Sequence, residues 1–189
     1  SESVFSRAFA EFAEMSLGEK VHEAMVEKFA KPELVGHISR DATAIEGREK
    51  PVAKVRPPKP APRKKGRPRR GEVLEPKPET RLQRQVRQVA AEALAELPAH
   101  CAVGTKRNSK GYKQTWIGFK LHADVNDCGL PISVALTAAS LHDSQVAIPL
   151  MKLTSQRVDY LYDLMDAAYD AQPIYAVSRS LGHVPIIDK

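Results

Sequence analysis

The chain has 189 residues, 42% of them hydrophobic and 28% charged, enough to bury one substantial core and too few for two comfortable independent domains. Its formal charge of +6 is local: residues 50–71 hold ten Lys or Arg and no acid, which leaves 19 basic against 23 acidic residues elsewhere. Cys101 and Cys128 sit at no disulfide or zinc spacing, no apolar run approaches the roughly 18 residues of a membrane span, and the N-terminus has no signal-peptide pattern, so a soluble protein of a reducing cytosol is expected.

In chain order, Val4, Phe5, Ala8, Phe9 and Phe12 recur at helical spacing. Ser16-Leu17-Gly18-Glu19 then reads as a capping box opening a second helix, with Val21, Ala24, Met25 and Phe29 on one face and Pro32 closing it. The three phenylalanines of the first helix are expected in a core or a partner contact. Leu34 to Ile45 reads as a strand that carries Asp41 toward its end. From Lys50 to Pro78 the composition turns to proline and basic residues with no apolar period, the signature of an extended, mobile arm that joins no core.

Thr80-Arg81-Leu82-Gln83 is a second capping-box pattern, and Leu82, Val86, Val89, Ala90, Ala93, Leu94 and Leu97 form a helical stripe that stops at Pro98. Ile117, Phe119, Leu121, Ala123 and Val125 alternate with Gly118, Lys120, His122 and Asp124, which predicts a strand with the apolar set inward and the polar set outward. Asn126-Asp127-Cys128-Gly129 supplies a hairpin turn, and Ile132, Val134 and Leu136 the returning strand. Ser140 to Asp143 caps a helix bearing Val146, Ala147, Leu150 and Met151. A strand ending at Asp166, a helix from about Ala171 to Leu181 and a last apolar run, Val184 to Ile187, complete an α/β layout in which an antiparallel hairpin joins parallel strands.

Asp41 and Asp166, each near the end of a strand-like run, are the candidate catalytic and metal-ligating pair. Mg²⁺ and Mn²⁺ take hard oxygen ligands, and two-metal phosphodiester chemistry needs carboxylates that converge from separate strands. Either aspartate alone reads more simply as a turn cap. Asp143, Asp163 and Asp170 read as helix caps or surface charges, Asp188 as a solvated strand-end residue, His142 as a support for its own turn and His122 as a structural histidine.

The ordered motifs resemble those of the DDE transposases of bacterial insertion sequences. Asp41 lies where that family places its first catalytic aspartate, and Asp166-Ala167-Ala168-Tyr169-Asp170 is similar to its second-aspartate motif, D-x-G-Y-D, with Ala168 at the glycine position. Gly118-Phe119-Lys120-Leu121-His122, Gly129-Leu130-Pro131 and His142-Asp143-Ser144 resemble its intervening landmarks in the right order. The resemblance covers roughly residues 35–189. It implies a ribonuclease-H-like mixed sheet flanked by helices and Mg²⁺- or Mn²⁺-dependent DNA strand cleavage and transfer. It further implies double-stranded DNA, transposon ends and target, as partner, a possible homodimer, and a bacterial cytoplasmic, nucleoid-associated setting. The third acidic ligand of the family, a glutamate on a following helix, is expected beyond Lys189, so the chain reads as a fragment with an incomplete metal site. A non-catalytic DNA-binding remnant or architectural protein, or a related metal-dependent nuclease, is the alternative.

The arm carries a segment, Lys64-Lys65-Gly66-Arg67-Pro68-Arg69-Arg70, that resembles an AT-hook. Arg67 would enter a narrow A·T-rich minor groove while Arg63, Lys64, Lys65, Arg69 and Arg70 meet phosphates; a disordered basic linker without groove preference is the other reading. Lys106, Arg107 and Lys110, with Lys113, form a second basic cluster that could track the DNA backbone, or be ordinary surface charge. The organisation expected is a helical lead, 1–33, and a catalytic domain, 34–189, interrupted at 48–112 by the basic arm plus a helix.

Overall fold

The computed structural model describes residues 2–53, 78–107 and 110–188. The AT-hook-like residues Arg63, Lys64, Lys65, Arg67, Arg69 and Arg70 lie outside the described residues.

Helices α1 (Glu2–Glu14) and α2 (Leu17–Phe29) form where expected, but the face of α2 expected to pack, Val21, Ala24, Met25 and Phe29, is exposed. The capping box expected at Ser16 does not form: Ser16 turns the chain between the helices in a left-handed conformation, φ 49°, and its side chain caps nothing. An N-cap needs extended backbone to aim its oxygen at the first turn, and this tight joint denies it. Val26 and Ala30 seat α2 against Val35, Ile38, Ile132, Val158 and Tyr160. Phe5, Phe9 and Phe12 are exposed and belong to no core cluster.

Strand β1 (Val35–Glu46) agrees with the expected Leu34–Ile45 run to within one residue at each end, and Asp41 lies mid-strand and not toward its end. The capping box at Thr80 forms as expected and opens α3 (Arg81–Arg87), but the helical stripe breaks at Gln88 and Val89 before α4 (Ala90–Ala95). A lysine explains the break. The Lys152 ammonium donates to the carbonyls of Gln85, Val86 and Gln88 at 2.9, 2.9 and 2.6 Å, so the last carbonyls of α3 turn to a cation instead of to another helical turn.

Strand β2 (Ala102–Arg107) has no clear sequence signature; it pairs antiparallel with the first half of β3 (Lys113–Asn126). The second half of β3 pairs with β1 and with β4 (Pro131–Ala138). Helix α5 (Ser144–Ser155), strand β5 (Tyr160–Met165), a 3-10 turn (Ala167–Tyr169), helix α6 (Gln172–Ser180) and strand β6 (Val184–Ile187) follow. The sheet order β4-β3-β1-β5-β6, with β3 antiparallel to β1 and to β4, and with β5 parallel to β1 and to β6, is the expected ribonuclease-H-like mixed arrangement.

The two faces of this sheet reverse the expected polarity. In β3 the buried positions are Trp116, Gly118, His122, Asp124 and Asn126, while Ile117 is exposed and Phe119, Leu121, Ala123 and Val125 are half-buried. Helices α5 and α6 cover the face that holds Arg40, His122, Asp124, Thr137, Asp163 and Met165. Hydrogen bonds join Arg40 to Asp124, Asp163 and Met165 and His122 to Thr137, which offsets part of the cost of burying them. Ile45, Val134, Leu136, Tyr162, Val184 and Ile186 stay exposed, and by strand alternation they share the opposite face.

Candidate active site at the ends of the β1–β5 ladder

The parallel ladder between β1 and β5 ends at the pair Arg40 and Met165, and Asp41 and Asp166 are the next residue on each strand. In-register residues of parallel strands point to one face, and adjacent strands lie about 4.8 Å apart. Arg40 and Met165 are buried under the helices; Asp41 and Asp166 are exposed, so both face away from them. Two acids 125 positions apart in the chain thus become neighbours where β5 stops and β1 runs on along β3.

Each carboxylate is anchored by one backbone hydrogen bond. Asp41 Oδ1 accepts from the Ala42 N–H at 2.7 Å, and Asp166 Oδ1 accepts from the Ala168 N–H at 2.9 Å. The second bond caps the 3-10 turn through which the chain leaves β5. Neither side chain belongs to an ion pair among the described residues, which leaves oxygen on each free to meet a ligand. Ile187 is the partner of Met165 in the β5–β6 ladder, and Asp188 follows it, its N–H bonded to the Met165 carbonyl at 3.0 Å. Asp188 therefore flanks Asp166 on the side away from Asp41.

Tyr169, at the end of the 3-10 turn, is 1% exposed, and its hydroxyl has no partner. Burial, and then the charges of Asp143, Asp166 and Asp41, hold its phenol protonated well above the usual tyrosine range. An orphaned buried hydroxyl within the field of three carboxylates, together with an all-oxygen donor set, suits a hard divalent cation. Among the described residues no group of three or more His, Cys, Asp or Glu is gathered closely enough to hold a metal by itself.

The other candidates fall into structural roles. Asp143 does not cap α5; its carboxylate takes the Lys120 ammonium at 2.7 Å. His142 steadies that turn through Ser144 Oγ at 2.8 Å. His122 is buried against Thr137 Oγ1 at 2.9 Å, and burial above all lowers its pKa to about 4, so it is a neutral structural residue at pH 7. Asp163 is no surface charge: it is fully buried and meets Arg40. Asp170 is exposed and accepts the Tyr175 hydroxyl at 3.1 Å.

The sequence reading passes over Arg40, whose guanidinium forks onto Asp124, Nε to Oδ1 at 2.8 Å and Nη2 to Oδ2 at 2.7 Å, and reaches Asp163 at 3.3 Å. The available signal was one cation and two acids inside three apolar strand patterns. Of the predicted DNA-contacting residues, Lys106, Arg107 and Lys110 lie exposed on the β2–β3 hairpin. Arg107 is opposite Lys113, and by alternation along β3 this pair shares the face of Ala123, the partner of Asp41.

Against known families, the model described as Transposase DDE domain matches residues 41–188. The chain belongs to this DDE transposase family. The match opens on Asp41 and spans Asp166, so the family, whose members cleave and transfer DNA strands, takes in both candidate acids. No curated protein and no solved structure gives a significant match. The transposase domain thus carries DNA as its class of substrate and divalent-metal chemistry as its family habit. Among the described residues no helix is long and apolar enough to cross a membrane.

Proposed function

We propose that this transposase domain cleaves and transfers DNA strands at element ends, with Asp41 and Asp166 as the acidic pair that holds Mg²⁺ or Mn²⁺. The observation that carries this reading is their adjacency: each takes the first position beyond the same ladder, on the same face. Bound there, the cation would supply charge neutralisation at the scissile phosphate and help to activate the attacking oxygen.

The chain's own residues contribute position and charge. The backbone N–H groups of Ala42 and Ala168 fix one oxygen of each aspartate, which leaves the other to turn outward toward a ligand. The Tyr169 hydroxyl stays protonated and so can donate a hydrogen bond into the site. Two carboxylates fill only part of a hard cation's oxygen shell, and water and DNA phosphate oxygens fit the remainder.

DNA would be held by two basic segments. Arg63, Lys64, Lys65, Arg67, Arg69 and Arg70 form an arm for groove and phosphate contacts, and Lys106, Arg107 and Lys110 lie on the β2–β3 hairpin. In this organisation residues 1–33 are a helical lead, and 34–189 are the catalytic domain, interrupted at 48–112 by a segment that holds the arm, α3–α4 and the edge strand β2.

The absence of a gathered three-ligand cluster among the described residues favours a second reading, a DNA-binding remnant without catalysis. Strand cleavage on DNA carrying the element ends separates the two. Asp41→Asn and Asp166→Asn should each abolish Mg²⁺-dependent cleavage and leave DNA retention within about twofold, because an exposed carboxylate repels phosphate only weakly. Cleavage equal to the parent in the double variant contradicts the catalytic assignment. A parent that retains DNA but never cuts it supports the remnant.

A further inference from the structure

Backbone hydrogen bonding alone does not specify how β5 sits against β1. A parallel ladder bonds as well after a slip along the strand, and on the face away from the helices β1 presents His37, Ser39, Asp41 and Thr43 and β5 presents Tyr162 and Leu164, none of them buried, so that face discriminates little. A slip of one residue would turn Asp166 to the helix side, and a slip of two would displace it along the strand by about 6.6 Å relative to Asp41. Something buried must select the register.

Arg40 is that group by geometry. Its side chain is 1% exposed, and those of Asp124 and Asp163 are fully buried. Arg40 is the direct partner of Asp124 in the β1–β3 ladder, and it is one pair beyond Asp163 on the same face of the β1–β5 ladder. The two-pronged contact with Asp124 fixes the guanidinium plane, and the remaining nitrogen, Nη1, reaches both Asp163 Oδ1 and Met165 Sδ at 3.3 Å. Both acids are held from behind. Thr154 Oγ1 of α5 donates to Asp124 at 2.6 Å, and Ser178 Oγ of α6 and the Tyr160 hydroxyl donate to Asp163 at 2.6 and 3.0 Å. A slipped β5 would leave Asp163 charged, buried and without its cation, a far larger penalty than misplacing an apolar side chain.

We propose that Arg40 is a positioning residue of the active site: its buried guanidinium, forked between Asp124 and Asp163, sets the register of β5 on β1 and so seats Asp166 beside Asp41. The role in catalysis rests on the reading of Asp41 and Asp166 as the acidic pair; the register role does not. Arg40 touches no substrate. Its effect passes through one peptide unit to Asp41 and, through Asp163 and Met165, to Asp166.

The test measures adjacency directly. In the full chain with Cys128→Ser, which removes the exposed native thiol, Asp41→Cys and Asp166→Cys are introduced together. Neighbouring strands place Cα atoms within the span a disulfide accepts, so mild oxidation should join this pair readily. Adding Arg40→Lys, which keeps the charge but loses the fork, or Asp163→Asn, which keeps Arg40 on Asp124, should slow joining about tenfold or more in protein that still melts cooperatively. Thr154→Val should lower the melting temperature and leave the rate within about twofold, because it loosens Asp124 without touching the β1–β5 link.

If Arg40→Lys does not fold, Asp163→Asn decides. Unchanged joining in Asp163→Asn overturns the proposal, as does a parent pair that does not join at all. The same substitutions in the aspartate-bearing chain are read by Mn²⁺ broadening of aspartate carboxyl resonances. Slowed joining with no broadening at Asp41 and Asp166 in the parent would keep the register role and remove the metal reading.

Discussion

Arg40 and Asp124 stand directly opposite each other in the β1–β3 ladder and meet through two parallel hydrogen bonds of 2.8 and 2.7 Å, both side chains shut off from solvent. Burial raises the Asp124 pKa, opposed by the Arg40 charge, while Asp124 and Asp163 outweigh burial at Arg40 and raise its pKa. Arg40→Met strips two buried carboxylates of their cation and should cost about 3–5 kcal/mol of stability. Thr154→Val removes one donor to a charged acceptor and should cost about 1–3 kcal/mol. Denaturant unfolding checks both, and a loss in Arg40→Met no larger than in Thr154→Val contradicts the account.

His122 gives the fold a pH dependence of definite sign. Burial, the largest cause, lowers its pKa from 6.5 to about 4, so the unfolded chain takes up a proton at a pH where the folded chain refuses it. Its contribution is complete above pH 6.5 and is lost as pH falls toward 4, by about 3 kcal/mol in all. Replacing His122 with Gln should flatten that part of the stability profile, measured by unfolding at pH 7, 5.5 and 4.5. An equally steep profile in the variant rules the explanation out.

Gly118, opposite Glu46 in the last pair of the β1–β3 ladder, leaves no room for a side chain. It has φ +148°, and a β-carbon added there would lie 2.1 Å from the Ile45 carbonyl oxygen and 2.5 Å from the Gly47 nitrogen. Gly118→Ala must strain the backbone or part the strands, and it should lower stability by about 2–4 kcal/mol. A thermal melt reads the effect; an alanine variant as stable as the parent would show the approach to be looser than this.

DNA affinity should report the basic arm through its salt dependence. If about five of its Lys and Arg meet phosphate, log K falls with log salt at a slope of roughly −4 to −5. Replacing Arg63, Lys64, Lys65, Arg67, Arg69 and Arg70 by Ala should remove most of that slope, whereas Lys106→Ala with Arg107→Ala should reduce it by about 2 at most. Binding titrations between 50 and 200 mM salt, over which a slope of −4 to −5 changes affinity by roughly 250- to 1,000-fold, would expose an unchanged slope clearly.

Much of this architecture was legible where local chemistry decides it. The Thr80 box and the Asn126–Gly129 turn follow from side chains acting on their own backbone, and the motifs around Asp41 and Asp166 singled them out as candidates. Which face of β3 is buried was not. Alternation reveals two faces, but only the partners of Asp124 and His122, supplied by Arg40, Thr154 and Thr137 from distant segments, make the polar face the inner one. The break in α3–α4 was hidden for the same reason, since it depends on Lys152, more than 60 residues away. Asp163 looked like a surface acid because its cation is 123 residues upstream.

The most direct test of the central claim is Mn²⁺ titration of the chain with its aspartate carboxyls ¹³C-labelled. The resonances of Asp41 and Asp166 should broaden together at the lowest Mn²⁺ concentration, ahead of Asp143 and Asp170, and both responses should vanish in Asp41→Asn. Broadening confined to other acids, or of Asp41 and Asp166 at separate concentrations, would contradict a shared site.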